Sequence, residues 1–137
     1  MRELPAVVPM AGLPDRVTIW EVGARDGLQN ESAIIPADVK IQFIERLADG
    51  GLPVVEVTSF VRPEWVPQLA DAGEVVTGIQ HRPGVRYPVL VPNRRGLDRA
   101  LASGVTDIAV FASATDTFAQ RNLNRSLADQ MQMFTPV

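Results

Sequence analysis

The run Pro53-Val54-Val55-Glu56-Val57-Thr58 constrains this chain most, because it is nearly unbroken apolar β-branched sequence with no polar alternate to turn towards water. A strand of that kind is buried on both faces, which is the condition of strands in a parallel sheet. Parallel strands need long crossovers, and the rest of the sequence supplies them as helical patterns. Strands are expected at 17–22, 53–58, 87–91 and 107–112, with Pro88 delaying the pairing of the third. Helices are expected at 37–49, 95–103 and 126–134, with a broken helical region at 65–80. In the first helix Val39, Phe43, Ile44 and Leu47 recur at spacings of three and four, Pro36 suits the first turn, and Gly50-Gly51 closes the end. Gly104 closes the next helix, and Ser126 is the N-cap of the last.

Four successive βα units imply right-handed crossovers and a parallel sheet, either doubly wound or part of a barrel. The sequence stops as the fourth helix forms, without a closing strand. At 137 residues it has about half the roughly 250 that an eight-stranded barrel takes. The expectation is an α/β fold that is the first half of a (β/α)8 TIM barrel over residues 16–137. A loose extension at 1–15, interrupted by Pro5, Pro9 and Pro14, precedes it.

Composition removes several classes of function. Hydrophobic residues at 46% and charged residues at 21% describe one ordinary globular domain. A net charge of -3 with a pI near 5.1 argues against a nucleic-acid partner. No apolar run approaches the roughly 20 residues of a membrane helix, so no membrane partner is expected. The absence of cysteine excludes a disulfide framework, a thiolate zinc site and a cysteine nucleophile within these residues, and fits a reducing compartment such as the cytoplasm. The single histidine, His81, reads as an exposed loop residue, and one histidine does not make a metal site. Trp20 and Trp65 read as packing residues. No dinucleotide, P-loop or nucleophile-elbow motif occurs.

Chemistry concentrates where the first strand ends. There Arg25 and Asp26 place adjacent opposite charges beside Gly27, followed by Gln29, Asn30 and Glu31. The plain reading is a turn in which Arg25 pairs with a neighbouring carboxylate and Gly27 supplies positive φ. The functional reading is a ligand corner, because parallel α/β folds place their sites at the carboxyl ends of strands. Glu56 weighs on the second side. A carboxylate inside the second strand is desolvated unless it meets a cation, and Arg25 on the neighbouring strand end is its natural partner, although a structural ion pair would satisfy it as well. Period-two alternation puts Val54, Glu56 and Thr58 on one face. Ser59, Asn93 and Ser113 follow strands two, three and four, each open to a turn role or a ligand role.

Gly23-Ala24-Arg25-Asp26-Gly27-Leu28-Gln29-Asn30-Glu31 resembles the signature of the hydroxymethylglutaryl-CoA lyases, within the metal-dependent barrels that cleave or form carbon–carbon bonds. Val55-Glu56-Val57-Thr58-Ser59-Phe60-Val61, Pro63-Glu64-Trp65-Val66-Pro67-Gln68, Tyr87-Pro88-Val89-Leu90-Val91-Pro92-Asn93 and Arg121-Asn122-Leu123-Asn124 follow in the family's order. The resemblance implies a retro-Claisen cleavage of 3-hydroxy-3-methylglutaryl-CoA to acetyl-CoA and acetoacetate, assisted by Mg²⁺ or Mn²⁺, in leucine degradation and ketone-body formation. It implies that Arg25 stabilises the enolate and that Asp26 is a metal ligand. Glu56 would orient Arg25 or join the proton transfers, Gln29 would support the site, and Ser59 and Asn122 would contact the acyl-CoA thioester. The family's His-x-His pair, later asparagine and loop cysteine have no counterpart here, so the isolated chain is expected to be inactive. The alternatives are a lyase or aldolase acting on another 3-hydroxyacyl-CoA, and a non-catalytic half-barrel that binds acyl-CoA or self-associates as a homo-oligomer through its open sheet edges.

Overall fold

The computed structural model describes residues 11–137. Most of the expected extension at 1–15 therefore lies outside the described residues, and 11–15 are exposed turn and coil. The remainder alternates strand and helix: β1 (Trp20–Glu21), α1 (Ala37–Asp49), β2 (Val54–Val55), β3 (Thr58–Ser59), α2 (Ala72–Gly78), β4 (Val89–Leu90), α3 (Arg94–Ala102), β5 (Ile108–Ala109), α4 (Asp116–Leu123) and α5 (Leu127–Phe134). Every ladder is parallel: β1 with β2, β3 with β4, and β4 with β5. The α/β expectation holds.

The strands are shorter than their apolar runs. Pairing requires a neighbour, and among the described residues β1 has one only in β2 and β5 only in β4. Beyond those ladders Val17 is 79% exposed and Val110 50%. β2 and β3 are one strand with a kink. Val55 and Val57 donate to the carbonyls of Arg86 and Pro88, but the next donor is Phe60, to Leu90. Correspondingly Val54 pairs with Arg86, whereas Thr58 pairs with Val89, so the register slips by one residue. This is a β-bulge, and it exchanges the faces of every residue after it.

The helix at 37–49 has the expected bounds, and Ile44 and Leu47 of its expected face meet the core, but that face is turned towards Lys40. Lys40, Ile44 and Ala48 are buried, while Val39 and Phe43 stay largely exposed. Hydrophobic spacing could not reveal this, because the deciding residue is charged. The Lys40 ammonium, 3% exposed, donates to the Gln68 carbonyl at 2.5 Å and to both Asp71 oxygens at 2.7 and 2.8 Å. All three of its protons are thereby satisfied. The helix ends in a Schellman motif. Gly51, at φ +93°, donates to the Ala48 carbonyl, and Leu52 donates to Leu47.

The region 65–80 resolves into a 3-10 turn, Pro67–Leu69, and then α2. The helices near 95–103 and 126–134 form one residue from their expected starts, and Ser126 accepts from the Asp129 N–H as its N-cap. α4 is the helix that the sequence pattern does not announce. Thr115 caps it, but only Ala119 is buried and Phe118 is 57% exposed, so it carries no apolar stripe. The core lies between the strands and α1 to α3, with Ile44, Val55, Val57, Val75, Val89, Val91 and Ala100 at its centre.

Lys40 and Asp71 yield a stability prediction. Asp71→Ala leaves a buried ammonium without its counter-ion and should cost about 3 kcal/mol, whereas Lys40→Met, which removes the charge, should cost under about 1.5 kcal/mol. Urea unfolding midpoints at unchanged slope measure both. Equal losses would show that the ion pair is not what holds this helix face.

Candidate active site

The corner after β1 is built by backbone geometry before any side chain acts. Residues Gly23–Gly27 form one wide π-helical turn in which the Val22 carbonyl accepts from Arg25 at 3.1 Å and from Asp26 at 2.7 Å. Gly27 does not take positive φ, so the plain reading of a glycine-driven reverse turn is corrected. Gly23 is the glycine in close contact at this turn. Its N–H donates to Glu21 Oε1 at 2.6 Å, and a Cβ there would lie 2.7 Å from that oxygen. Asn30 reaches back to the Asp26 carbonyl at 2.7 Å, tying the following loop to the turn.

The turn presents Arg25 to Glu56. Arg25 Nε donates to Glu56 Oε1 at 2.6 Å, and the side chains are 17% and 5% exposed. The other carboxylate oxygen, Oε2, accepts from the indole N–H of Trp20 at 2.9 Å. Trp20 is thus not merely a packing residue. The guanidinium of Arg86 lies 5.3 Å from its ring centre, and Arg86 is itself held by Asp107 at 2.8 and 3.0 Å. Donating to the Asp107 carboxylate raises Arg86 above its already high value, so this cation is permanent. Arg25 Nη1 donates to Asp26 Oδ1 at 2.6 Å, leaving Nη2 without a partner among the described residues. A guanidinium carries five N–H donors, so three remain for a ligand.

Ser59 reaches this face by way of the bulge. Strict alternation would put Thr58 beside Glu56. After the slip Thr58 faces the helix layer with Val89, and Ser59 lies with Leu90 on the side of Arg86, Val54 and Trp20. β3 also packs against the Gly23–Gly27 turn. Ser59 is 0% exposed, and among the described residues its Oγ has no partner, nor do Thr58 Oγ1 and Ser113 Oγ. A buried hydroxyl without a partner costs free energy, and such groups tend to mark functional positions.

The other sequence candidates are not gathered here. Gln29 is half-buried just past the turn, without a side-chain hydrogen bond among the described residues. Asn122 is exposed on α4, without a side-chain hydrogen bond among the described residues. Asn93 is the N-cap of α3, accepting from the Gly96 N–H at 3.0 Å. His81 is exposed and stacks on Tyr87 at 4.7 Å. Two residues go unnoticed in sequence. One is Trp20. The other is Gln130, which is 3% exposed on α5 and holds both the N–H and the C=O of Ser113 at 2.8 Å. A buried glutamine in an amphipathic helix gives no sequence signal that separates it from a surface one.

Among the described residues no three His, Cys, Asp or Glu side chains converge on a metal position. Asp26 alone offers a hard oxygen, its Oδ2 being unengaged and its side chain 54% exposed. The donor set suits a divalent ion in kind but supplies one ligand, short of the six or so oxygens such ions take. No helix among the described residues is long and apolar enough to cross a membrane.

Parallel strands with helical crossovers, and a charged corner at a strand's carboxyl end, define the class of barrel-type α/β enzymes. The comparisons narrow the class. Residues 16–137 match the HMGL-like family model. The chain is 56% identical over 128 residues to the cytoplasmic 3-hydroxy-3-methylglutaryl-CoA lyase of Rattus norvegicus, covering 93% of this chain and 37% of the relative. It is 50% identical to the mitochondrial hydroxymethylglutaryl-CoA lyase of the same species, again over 93% of this chain and 39% of the relative. The crystal structure of hydroxymethylglutaryl-CoA lyase from Pseudomonas aeruginosa superposes with a TM-score of 0.86 at 50% identity, over 90% of this chain and 41% of that one. An HMG-CoA lyase from Acinetobacter baumannii, in complex with coenzyme A and 3-methylmalate, gives a TM-score of 0.82 at 35% identity, over 92% of this chain and 41% of that one. The chain belongs to the HMGL-like family, that of the hydroxymethylglutaryl-CoA lyases, and spans under half the length of these relatives.

The ion pair at the centre of the corner makes a direct prediction. Glu56→Ala strands the buried Arg25 guanidinium and should cost about 3 kcal/mol, whereas Glu56→Gln keeps the shape and one of the two acceptor oxygens and should cost roughly half that. Urea midpoints measure it. A loss below about 1 kcal/mol for Glu56→Ala would show that Arg25 is solvated rather than held.

Proposed function

We propose that residues 16–137 carry the charge-stabilising corner of a divalent-metal-dependent carbon–carbon lyase that cleaves 3-hydroxy-3-methylglutaryl-CoA to acetyl-CoA and acetoacetate. One observation carries the reading: Arg25 is fixed by Glu56 through Nε and by Asp26 through Nη1, with Nη2 unengaged among the described residues. In the cleavage the C3 hydroxyl loses its proton and its oxygen becomes the ketone of acetoacetate. The C2–C3 bond breaks, and its electron pair moves into the thioester as an enolate, which protonation converts to acetyl-CoA. Charge therefore develops on the thioester oxygen. A guanidinium already oriented towards that oxygen stabilises the transition state more than the ground state, because no reorganisation is left to pay.

Glu56 acts in this scheme as the anion that aims Arg25, since both of its oxygens already accept hydrogen bonds. Ser59 would hydrogen-bond the acyl-CoA thioester through its free hydroxyl, with Gln29 supporting the loop. Asn122, exposed on α4, would be a further contact to the substrate. Mg²⁺ or Mn²⁺, with Asp26 as one ligand, would supply Lewis-acid polarisation of the substrate oxygens. Family membership and the relative bound to coenzyme A support an acyl-CoA substrate. Relatives are named both cytoplasmic and mitochondrial, and our reading is the cytoplasm, with the role in leucine degradation and ketone-body formation that the resemblance implies.

A second reading is self-association as a homo-oligomer. The unpaired outer edges of β1 and β5 and the exposed Val17, Ile19 and Val110 favour it. Light scattering across a concentration series would show it.

Arg25→Gln, made where residues 16–137 sit in a complete barrel, tests the first reading. The turnover number for acetoacetate release should fall by about 10²- to 10³-fold with KM changed little. An unchanged turnover number would remove Arg25 from this role.

A further inference from the structure

We propose that Trp20 is a positioning residue, whose indole N–H locks the plane of the Glu56 carboxylate and through it the aim of Arg25. The inference rests on the role given to Arg25 above. A carboxylate rotates about its last bond over a broad, roughly two-fold well. A single partner, Arg25 Nε on Oε1, leaves that rotation free. The Trp20 donor on Oε2 removes it, because the two bonds at 2.6 and 2.9 Å engage opposite oxygens.

Trp20 is held for this task from both sides. Its backbone is in β1, in register with Val54, two residues before Glu56 on the same face. Its ring lies under the permanent Arg86 cation at 5.3 Å. A cation over the ring face draws electron density from the indole and strengthens the N–H as a donor. Burial alone does not explain the residue, since Trp20 is 41% exposed and an apolar β-branched side chain would fill a strand position as well.

Proton NMR of this chain tests the proposal, because it contains two tryptophans and Trp65, 75% exposed, serves as the solvated reference. The Trp20 indole proton, assigned as the one indole signal that remains in Trp65→Phe spectra, should lie downfield of that of Trp65 and exchange more slowly with water. Glu56→Gln should move it towards the Trp65 position. Replacing Trp20 by benzothienylalanine keeps the ring shape and removes only the N–H. It should speed exchange of the Arg25 Nε proton by roughly fivefold, the factor expected from one lost hydrogen bond. Trp20→Phe should do the same.

If Trp20 only packs, Trp20→Phe will disturb the Arg25 proton and the benzothienyl analogue will not, and the proposal is overturned. It is overturned equally if the Trp20 indole signal coincides with that of Trp65. None of these readouts needs turnover, so a failed catalytic reading would leave them intact and separately interpretable.

Discussion

Everything at the carboxyl end of the first strand depends on one desolvated carboxylate. Glu56 sits in the apolar run of the second strand, 4% exposed, where an unpaired charge would be prohibitively expensive. It is tolerable only because Arg25 and Trp20 each bring a donor to a separate oxygen. The dependence runs in both directions. Arg25 keeps its orientation because Glu56 cannot move, and the π-helical turn at Gly23–Gly27 sets the distance at which they meet. A buried pair of this kind adds little net stability over an apolar substitute, so its value lies in direction and charge.

The β-bulge at the junction of β2 and β3 serves the same corner. A regular strand would have directed Thr58 towards the Glu56 face and Ser59 towards the helices. One inserted residue reverses them and leaves Ser59 Oγ buried and unpartnered beside the turn that carries Arg25. Bulges are enriched beside active sites for this reason: they re-aim a side chain without changing the sheet that supports it. Under the function proposed above, the ligand would be an acyl-CoA thioester whose cleavage places charge where a fixed guanidinium is useful.

The parallel α/β order was legible because helical and strand periods alternate cleanly, and the Arg25–Glu56 pair was legible because a carboxylate in a β-branched run demands a cation. Three features were not. Lys40 is one, since nothing local shows that Asp71, 31 residues away, will meet it. The bulge was hidden because Val57-Thr58-Ser59 carries no glycine or other irregularity. Trp20 was read as packing because an indole's polar atom matters only once its neighbours are known. Each miss is a long-range hydrogen bond or register choice, which composition and periodicity do not encode. Asp26 marks a different limit: its exposed, half-engaged carboxylate is compatible with a divalent ion in kind, but the geometry of that ion would depend on groups from elsewhere.

The central claim is that Arg25, aimed by Glu56, recognises charge that appears only as the bond breaks. Calorimetric affinity for two acyl-CoA analogues, measured where residues 16–137 sit in a complete barrel, tests it most directly. One analogue is a neutral thioester, and the other has that group replaced by an anionic nitronate of enolate shape. The account predicts that the anion binds at least about 100-fold more tightly, as transition-state mimics do, and that Arg25→Gln erases the preference. Equal affinities, or a preference that survives Arg25→Gln, would contradict it.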